Sequence, residues 1–581
     1  MKMGILGNEN IQHGQQAGAK GGRRATVFVF AMTTLETMAF LSNGVSLVTY
    51  FYGYMNFGLT KSATTLTNFM GTTFLLSLFG GFISDTYLSR FKTCILFGCF
   101  EILGYSLLAV QAHLKQLRPL PCKDATIGCE SASSNQEAIL FTGLYLVALG
   151  TGGIKGALAS LGADQYDERD PKEAASLSSF FNWYMFSVTF GGMFGVTFLV
   201  WISTNQGWDW SFGVCGLAVA VAILLLAMGR SLYRTNVPKG TSPLVRILQV
   251  LVVAVRNRNL PVPKIAQELH EIHDKEVGNN EILQRTDQFK LLDLAAIPRN
   301  SNSEDSESWR VCTITQVEET KILMRMLPII VSTVFMNTCV AQLQTFTIQQ
   351  SMTMDRSLGS FQVPGPSIPV IPLVFMSILL PAYDRFFVPL ARRLTGIPTG
   401  ITQLQRVGVG LVLSIISMAV SGVIETHRKS VAVEHNMVDS AGPLPMSVFW
   451  LGIQYAIFGM ADTFTVVGLL DFFYAESSAG MKSLGTAISK CSLAFGYYTS
   501  TMVVNVVNKA SGGWLSSNNL NTDRLEYFYW LLALLSVLNF GVYLLCASWY
   551  KYKLQTEKAP GASVDYVEER IDKSVCRNSS P

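Results

Sequence analysis

The chain has 581 residues, of which 49% are hydrophobic and only 14% are charged, with a mean hydropathy of +0.32. Soluble domains carry about 25% charged residues, so this composition excludes an ordinary soluble protein and predicts an integral membrane protein. The formal net charge of +4 is too small to favour nucleic acid as a partner. The ten cysteines lack metal-ligand spacing and no nucleophile–base motif is present, so we expect no metal site, no cofactor and no enzyme.

Hydropathy predicts twelve membrane-spanning helices in two groups of six. The apolar cores of the first group are 27–51, 66–86, 94–112, 138–160, 179–202 and 211–229. Those of the second group are 325–346, 368–389, 404–424, 446–471, 485–508 and 527–549. Two groups of six separated by a polar linker are typical of the all-α major facilitator fold, in which substrate binds at the membrane midplane between the two halves.

The same pattern divides the chain into five regions. They are an N-terminal tail (1–24), a first six-helix half (25–229), a linker (230–320), a second half (321–552) and a C-terminal tail (553–581). Basic residues flank one side of the predicted bundle, at Arg23, Arg24, Arg90, Lys92, Arg385, Arg392, Arg393, Lys551 and Lys553. The positive-inside rule makes that side cytoplasmic, so we expect a multi-pass protein, in the plasma membrane, with both tails in the cytoplasm.

Two loops bear on this orientation. His427, Arg428 and Lys429 follow the ninth apolar segment and favour the opposite orientation, although acids accompany them. Cys122 and Cys129 share a polar loop that would be extracytoplasmic, where a disulfide between them can form.

The linker has a basic, partly apolar beginning and a polar end. Residues 244–255 are mostly apolar but too short to span a membrane, and arginines accompany them. This pattern predicts an amphipathic helix, either on the cytoplasmic membrane face or packed on the helix bundle. Residues 279–308 are polar, which predicts poor order.

The fourth predicted helix holds a lysine near its middle. Residues 144–162 are apolar and glycine-rich, and Lys155 is the one cation among them. A lysine at the centre of a membrane helix costs about 2.5–3.5 kcal/mol, so it predicts a functional site. The alternative is a lysine whose ammonium reaches back to the membrane surface.

Several motifs resemble those of one known family. Residues 80–93 resemble the first signature of the proton-coupled nitrate and peptide transporter family, 144–167 its helix 4 block, and 180–193 its helix 5 signature. Shorter matches follow at 383–385, 404–408 and 468–473. The resemblance covers residues 24–552. It is greatest to the plant branch, within the subfamily of abscisic acid, gibberellin and low-affinity nitrate carriers, and it implies proton-coupled transport.

One family motif is incomplete here. The family usually has Glu-x-x-Glu-Arg in helix 1, where this chain has Thr33-Thr-Leu-Glu36-Thr37, so one acid and the arginine are missing. Glu36 is still expected to carry a proton, because burial disfavours the charged form of a carboxyl. The alternative is a structural glutamate that is hydrogen-bonded to a neighbouring helix.

The resemblance also implies roles for two charged pairs. Lys155 and Asp462 stand where the family places a lysine in helix 4 and an acid in helix 10. An ion pair between them would join the halves and break when the acid is protonated or an anion arrives, so both are expected to act in proton coupling and substrate binding. Asp85 and Arg90 resemble the conformational latch of major facilitators, and we do not expect them to bind substrate.

Three further residues are candidates for the substrate site. Some nitrate-carrying relatives have a histidine in helix 7 directly before an Ala-Gln pair. In this chain the pair is Ala341-Gln342, and Val340 stands at the position of the histidine. A valine cannot donate a hydrogen bond, which disfavours nitrate binding by that mechanism. Lys490, inside the eleventh predicted helix, is expected to add a second cation, with Asp462 or Glu36 as its partner. The alternative is a lysine that reaches the cytoplasmic surface.

These residues predict a secondary transporter for a small organic anion, driven by protons and surrounded by lipid. A plant-hormone carboxylate such as abscisic acid or gibberellin is favoured, because an apolar cavity with one or two cations suits an amphipathic acid. Low-affinity nitrate transport is the first alternative. A transport-impaired anion sensor is the second, motivated by the incomplete helix 1 motif. Oligomeric state is left open by the sequence.

Overall fold

A computed structural model of the chain describes residues 21–120, 131–166, 171–234, 243–261, 269–270, 283, 285–297, 309, 311–382, 386–395, 401–439, 442–476, 482–517 and 519–550. The predicted disulfide between Cys122 and Cys129 lies outside the described residues. So do the first twenty residues of the N-terminal tail and the predicted C-terminal tail.

The first half contains six long helices. They are α1 (Gly22–Gly53), α2 (Leu59–Thr86), α3 (Arg90–His113), α4 (Ser134–Ala163), α5 (Pro171–Phe194, continued through π-helical Gly195–Leu199 to Val200–Asn205) and α6 (Trp208–Met228). Short 3₁₀ segments, Lys115–Leu117 and Gly229–Ser231, follow α3 and α6.

The described residues of the second half form six main helices and two short ones. They are α7 (Ile314–Gln344, followed by Phe346–Met352), α8 (Val370–Ala382, followed by a short helix Val388–Thr395), α9 (Gln403–Glu434), α10 (Leu451–Glu476), α11 (Lys482–Ala510) and α12 (Leu525–Trp549). Two minimal sheets cover one end: β1 (Met354–Asp355) pairs in parallel with β4 (Leu444–Ser447), and β2 (Ser357–Leu358) pairs antiparallel with β3 (Phe361–Gln362).

Length and composition qualify these helices as membrane spans. Among the described residues, nine helices are long and apolar enough to cross a membrane, and a shorter apolar stretch, Gly365–Ile378, includes the beginning of α8. α10 and α11 are of similar length, at 26 and 29 residues. Polar capping boxes start three helices, with Ser133 and Gln136 at α4, Thr313 and Gln316 at α7, and Thr402 and Gln405 at α9. The predicted all-α membrane fold is confirmed.

Most buried hydrophobic residues of each half pack with others of the same half. In the first half they centre on Phe51 and on Val29, and in the second half on Phe472. The clusters also extend across the boundary, because Tyr497 of α11 belongs to the cluster around Phe51 and Leu59 of α2 belongs to the cluster around Phe472.

The halves contact each other at one end of the bundle. We call the end where α1 begins and α12 ends the terminal end, and the opposite end the distal end. α2 packs along α11, and Gly71 permits this because a Cβ there would lie 3.2 Å from the Ala494 carbonyl oxygen.

The basic trio after the ninth apolar segment is not in a loop. α9 continues to Glu434, so His427, Arg428 and Lys429 lie within the helix. Arg428 is fully buried and its guanidinium donates to both carboxylate oxygens of Glu425, at 2.7 and 2.8 Å. The prediction that these residues lie in a loop is therefore wrong. Because the positive-inside rule counts basic residues of loops, they argue less strongly against cytoplasmic tails.

The linker is partly folded against α7. A linker helix, Pro243–Arg256, buries Val250 and Val253 against a 3₁₀ segment, Lys290–Ala296, and the start of α7. Its other side exposes apolar residues, with Val255 65% exposed. Packing on the bundle is thus observed for one face of the helix. Residues 285–297 are ordered and packed, so the prediction of poor order is wrong for that stretch.

A buried group of charges fixes the folded linker to α7. Lys321 is fully buried and its ammonium lies 2.6 Å from Asp293 Oδ1 and 2.7 Å from Glu318 Oε1. Arg285 contributes a second cation, 2.9 Å from Asp293 Oδ2. Because each buried charge has an opposite partner, this segment of the linker is held to the second half.

Candidate functional site

Glu36 and Lys155 form an ion pair in the middle of the first half. The Lys155 ammonium lies 2.9 and 3.0 Å from the two carboxylate oxygens of Glu36. The Glu36 side chain is only 2% exposed and that of Lys155 is 16% exposed. The same ammonium lies 4.6 Å from the centre of the Phe40 ring, which comes one helical turn after Glu36. The pair therefore combines a cation, an acid and an apolar wall.

Thr37, which stands where the family motif has its arginine, contacts this pair. Its hydroxyl donates to Glu36 Oε2 at 3.4 Å. A hydroxyl replaces one hydrogen bond of the missing guanidinium but none of its charge. The positive charge that the arginine supplies in the family motif must therefore come from another residue.

Lys490 brings a second cation to the pair from the other half of the molecule. Its ammonium donates a 2.6 Å hydrogen bond to the backbone carbonyl oxygen of Lys155, which joins α11 to α4. Lys490 also interacts electrostatically with the Lys155 ammonium and with Glu36. Glu36, Lys155 and Lys490 will be called the core cluster. Of the two acids proposed as partners of Lys490, Glu36 interacts with it electrostatically, but the described residues show no ion pair between Lys490 and either acid.

Asp462 is outside the core cluster in this conformation. It lies half-buried on α10 and, within the described part of the chain, makes no ion pair and no hydrogen bond. It interacts electrostatically with Tyr497 on α11. Lys155 is thus paired with Glu36 of its own half, and a Lys155–Asp462 pair across the halves is absent from this conformation.

Val340 and Gln342 lie on α7 within the second half. Val340 is half-buried and packs against the hydrophobic core of that half. Gln342 is fully buried, and its amide donates to Ser500 of α11 at 2.7 Å and to the Thr338 carbonyl at 3.4 Å. No hydrogen bond or ion pair between described residues links either of them to the core cluster. Their role in binding substrate stays a prediction.

Arg90, the predicted latch residue, binds the end of α4. It forms a salt bridge with Asp164, and its guanidinium donates to the Ser160 carbonyl oxygen at 3.4 Å. The side chain of Asp85 lies outside the described part. The latch therefore stays a prediction.

One buried acid was not selected from the sequence. Glu101 lies twelfth of the 24 residues of α3 and is fully buried. Thr151 on α4 donates a 2.9 Å hydrogen bond to its Oε1. The signal was available, because a carboxyl in the middle of an apolar helix is rare and points to function.

Between the core cluster and the distal end, the halves are joined by a series of contacts from α2 to α11. The Thr72 and Tyr498 hydroxyls lie 2.7 Å apart, and those of Thr67 and Thr501 lie 2.6 Å apart. The ring of Phe74 stacks on that of Tyr497 at a centroid distance of 5.9 Å. This conformation is therefore closed on the distal side of the core cluster.

A separate apolar cavity of about 590 Å³ lies between α9 and α12. Its lining includes Val412 and Leu544, which are exposed on the outer surface of the bundle. No charged side chain is among its lining residues. An apolar site of this kind does not suit an anion, so the core cluster is the better candidate.

The described residues form twelve main helices in two halves, with buried charges between them, and this arrangement defines a multi-pass membrane transporter of the major facilitator type. A sequence profile of the POT family, PTR2, matches residues 91–519. Protein NRT1/ PTR FAMILY 4.6 of Arabidopsis thaliana is 42% identical over 564 residues, covering 92% of this chain and 95% of that relative. Protein NRT1/ PTR FAMILY 4.5 of the same plant is 42% identical over 545 residues, covering 92% and 94%.

Solved structures of low sequence identity share the fold. The crystal structure of an auto-inhibited POT family peptide transporter superimposes with a TM-score of 0.66 at 17% identity, covering 92% of this chain and 99% of that one. The chain belongs to the POT family, and it is similar to the plant NRT1/PTR members of that family. Transporters of this family move small substrates with protons and are not enzymes.

Proposed function

We propose that the protein imports a small organic anion together with protons, and that an amphipathic plant-hormone carboxylate such as abscisic acid or gibberellin is the substrate. The observation that carries this proposal is the composition of the core cluster. The Lys155 ammonium pairs with the Glu36 carboxylate, and among the described residues the Lys490 ammonium binds only a neutral carbonyl oxygen, which leaves one formal positive charge in the cluster. A substrate carboxylate would balance that charge, and burying a charge is tolerated only when it is paired.

The surroundings of the cluster support an amphipathic substrate. The Phe40 ring lies against the Lys155 ammonium, and the stacked pair Phe74 and Tyr497 lies nearby on the distal side. Sites for small organic molecules are largely apolar with a few well-placed polar groups. A hydrophobic acid can use both kinds of contact, whereas nitrate can use only the polar one.

Proton coupling follows from competition for Lys155. In the observed state the Glu36 carboxylate occupies the Lys155 ammonium with both oxygens. A proton that binds one Glu36 oxygen removes the negative charge and frees the ammonium for the substrate carboxylate. When that proton leaves, the Glu36 charge returns and competes with the substrate again. Asp462 is proposed as an acid on the second half that joins this competition in another conformation.

The Lys490 hydrogen bond to the Lys155 carbonyl is proposed to change during transport. It is the innermost in the series of α2–α11 and α4–α11 contacts that join the halves. Opening the distal side has to separate α2 from α11, which also carries Lys490. A substrate anion near Lys490 would then replace the lost acceptor.

The proposed function also includes a membrane location, an orientation and a division of the chain into regions. We infer a plasma-membrane location with both tails in the cytoplasm, and the five regions predicted from the sequence. The terminal end is then cytoplasmic, and closure at the distal end corresponds to an inward-facing state. An inward-facing transporter is ready to release substrate into the cell.

Low-affinity nitrate transport is the second candidate, because a net positive cluster attracts any small anion. An anion sensor with impaired transport is the third, since Thr37 has removed a charge from the helix 1 motif. The first candidate function predicts that a hormone carboxylate accumulates inside a cell, and the second predicts that nitrate does. The third predicts that an anion binds but does not accumulate.

Uptake of labelled abscisic acid, gibberellin and nitrate into oocytes, in acidic and in neutral medium, tests the proposal. We expect acid-stimulated uptake of one of the carboxylates that exceeds uptake of nitrate. Lys155→Ala should lose this uptake. Lys61→Met is the matched control and should keep it, because it removes an exposed cation that pairs with Glu137 at the distal end. Uptake of nitrate alone would favour the second candidate, and binding of an anion without uptake would favour the third.

A further inference from the structure

Glu101 is a fully buried carboxyl with one hydrogen bond. Its Oε1 accepts from the Thr151 hydroxyl at 2.9 Å. Its Oε2 is also buried and has no hydrogen-bond partner in the part of the chain that the structure describes. An ionised carboxylate offers about four acceptor positions, so most of them would be unsatisfied here.

The close approach of two helices produces this burial. Gly150 of α4 faces Glu101, and a Cβ at Gly150 would lie 2.5 Å from the Glu101 Cβ. Because Gly150 has no side chain, α3 and α4 pack tightly and exclude water from the carboxyl. Thr151, the next residue, is thereby brought into hydrogen-bond range.

Four ionisable groups face Glu101 from the helices around it. Glu36 on α1 and Lys155 on α4 both interact with it electrostatically. Tyr105, one turn later on α3, and Cys215 on α6 are its other ionisable neighbours. Among these groups only Lys155 is a cation at neutral pH, and Glu36 already holds it with both oxygens.

The two carboxyls therefore share one cation. With Glu36 ionised and paired, a second negative charge on Glu101 would have neither a cation of its own nor enough hydrogen bonds, and burial strongly disfavours such a charge. The neutral acid removes that penalty. Thr151 lies one helical turn, about 6 Å, before Lys155 on α4, so this proton is held next to the core cluster.

We propose that Glu101 is a second proton-binding residue of the transport cycle, which supplies on α3 the acid missing from the helix 1 motif at Thr33. This inference rests on the proposed function. A proton binds the Glu101 carboxylate when Glu36 is ionised and paired with Lys155. It passes from the Glu101 carboxyl to a Glu36 carboxylate oxygen when a substrate carboxylate takes Lys155 from Glu36, so one carboxyl O–H breaks as the other forms. No bond other than the carboxyl O–H is made or broken.

Glu101→Gln tests the proposal, because glutamine keeps the size of the side chain and the acceptor for Thr151 but cannot exchange a proton. The variant is expected to lose acid stimulation of net uptake in oocytes. It is expected to retain exchange of labelled for unlabelled substrate at constant pH, since exchange needs no net proton movement. Glu137→Gln, the same change at the exposed partner of Lys61, is the control and should keep both activities.

Each outcome has a distinct meaning. An unchanged pH profile in Glu101→Gln would overturn the proton role while leaving the proposed function standing. Loss of exchange as well as uptake in a variant that reaches the surface would make Glu101 a structural residue and also overturn the role. Absence of acid-stimulated uptake in the unmodified protein would instead contradict the proposed function. Glu101→Asp, which keeps a carboxyl, should restore part of the acid stimulation.

Discussion

Two buried groups of charges in this protein differ in how completely they are satisfied. On α9, Arg428 donates to Glu425, Asn521, Thr353 and the Leu520 carbonyl, at distances between 2.6 and 3.2 Å. Glu425 also accepts from Gln350 at 2.5 Å. We call Gln350, Glu425, Arg428 and Asn521 the α9 cluster. In the core cluster, by contrast, Lys155 takes both oxygens of the one carboxylate, and the Lys490 ammonium has only a backbone carbonyl oxygen as its hydrogen-bond partner among the described residues.

The difference separates a structural role from a functional one. The hydrogen-bond partners of Arg428 named above all belong to the second half, so the α9 cluster can stay intact while the halves move. The core cluster joins α1 and α4 to α11, and one of its hydrogen bonds uses a backbone oxygen. A group of charges that is incomplete and lies between moving parts can exchange a proton or an anion, whereas a complete one resists exchange.

Lys155→Ala is expected to have the largest effect on activity, with loss of anion transport. The variant should still reach the membrane, because Glu36 can take up a proton when its partner is removed. Lys155→Arg should keep part of the transport if charge alone matters. Uptake per molecule of surface protein is the measurement, and normal uptake by the alanine variant would reduce Lys155 to a structural role.

Arg428→Met is expected to have the largest effect on stability. Removing one partner of a buried ion pair costs about 3–5 kcal/mol, because the other charge stays buried without compensation. Thermal unfolding in detergent and the amount of protein at the surface should both fall.

The neighbouring residue supplies the control for that variant. Lys429→Met removes a cation whose side chain is 23% exposed and which pairs with Glu526, so a smaller loss is expected. Equal stability of the two variants would contradict the view that the buried ion pair of Arg428 stabilises the fold more than the partly exposed pair of Lys429 does.

Glu36→Gln is expected to abolish acid stimulation of uptake while protein remains at the membrane. Glutamine keeps the shape of the side chain but cannot bind or release the proton that controls access to Lys155. Uptake measured from acidic to neutral medium checks this. An unchanged pH dependence of uptake would show that Glu36 is not the residue that couples uptake to protons.

Lys490→Met is expected to weaken substrate binding by about tenfold, which corresponds to about 1.4 kcal/mol. The change nearly preserves side-chain length and removes one charge and the inter-half hydrogen bond. Lys509→Met, on the same helix but exposed near the distal end, is the control. Wild-type affinity in Lys490→Met would exclude Lys490 from the substrate path.

Asp523 adds a small pH dependence beside the α9 cluster. Burial raises the pKa of its carboxyl to about 7, helped by Glu425 and Glu526 and opposed by the Ser517 amide and Lys429. Because this folded-state pKa lies above the unfolded value of about 3.9, folded protein binds the proton more tightly.

The resulting stabilisation is present below the unfolded pKa and is lost as the pH rises through about 7. The melting temperature of Asp523→Asn should therefore fall less than that of the unmodified protein between mildly acidic and mildly alkaline buffer. Parallel pH curves for the two proteins would show that another group is responsible.

The twelve helices were predictable because hydropathy along the chain is a local property. Lys155, Glu36 and Lys490 were also predictable as candidates, since charges inside apolar helices are rare. Their partners were not predictable, because sequence spacing does not say which faces of distant helices meet. Lys155 accordingly binds Glu36 on α1, where a pair with Asp462 was expected.

Arg428 and Glu101 show two further limits of the sequence. The apolar stretch of α9 ends before Arg428, so the arginine was assigned to a loop, although its spacing of three residues from Glu425 suits an ion pair on a helix. Glu101 lies inside the predicted span 94–112 but belongs to none of the family motifs. Only the packing of α3 against Gly150 shows how deeply it is buried.

The bond from Lys490 to α4 has an evolutionary consequence. Its acceptor is the main-chain oxygen of Lys155, and a main-chain oxygen is present whatever side chain occupies that position. A lysine at 490 could thus have been acquired by a single substitution, with no matching change on the opposite helix. Sequence covariation between the two positions would then be weak even though they touch, and searches for coupled substitutions would overlook this contact.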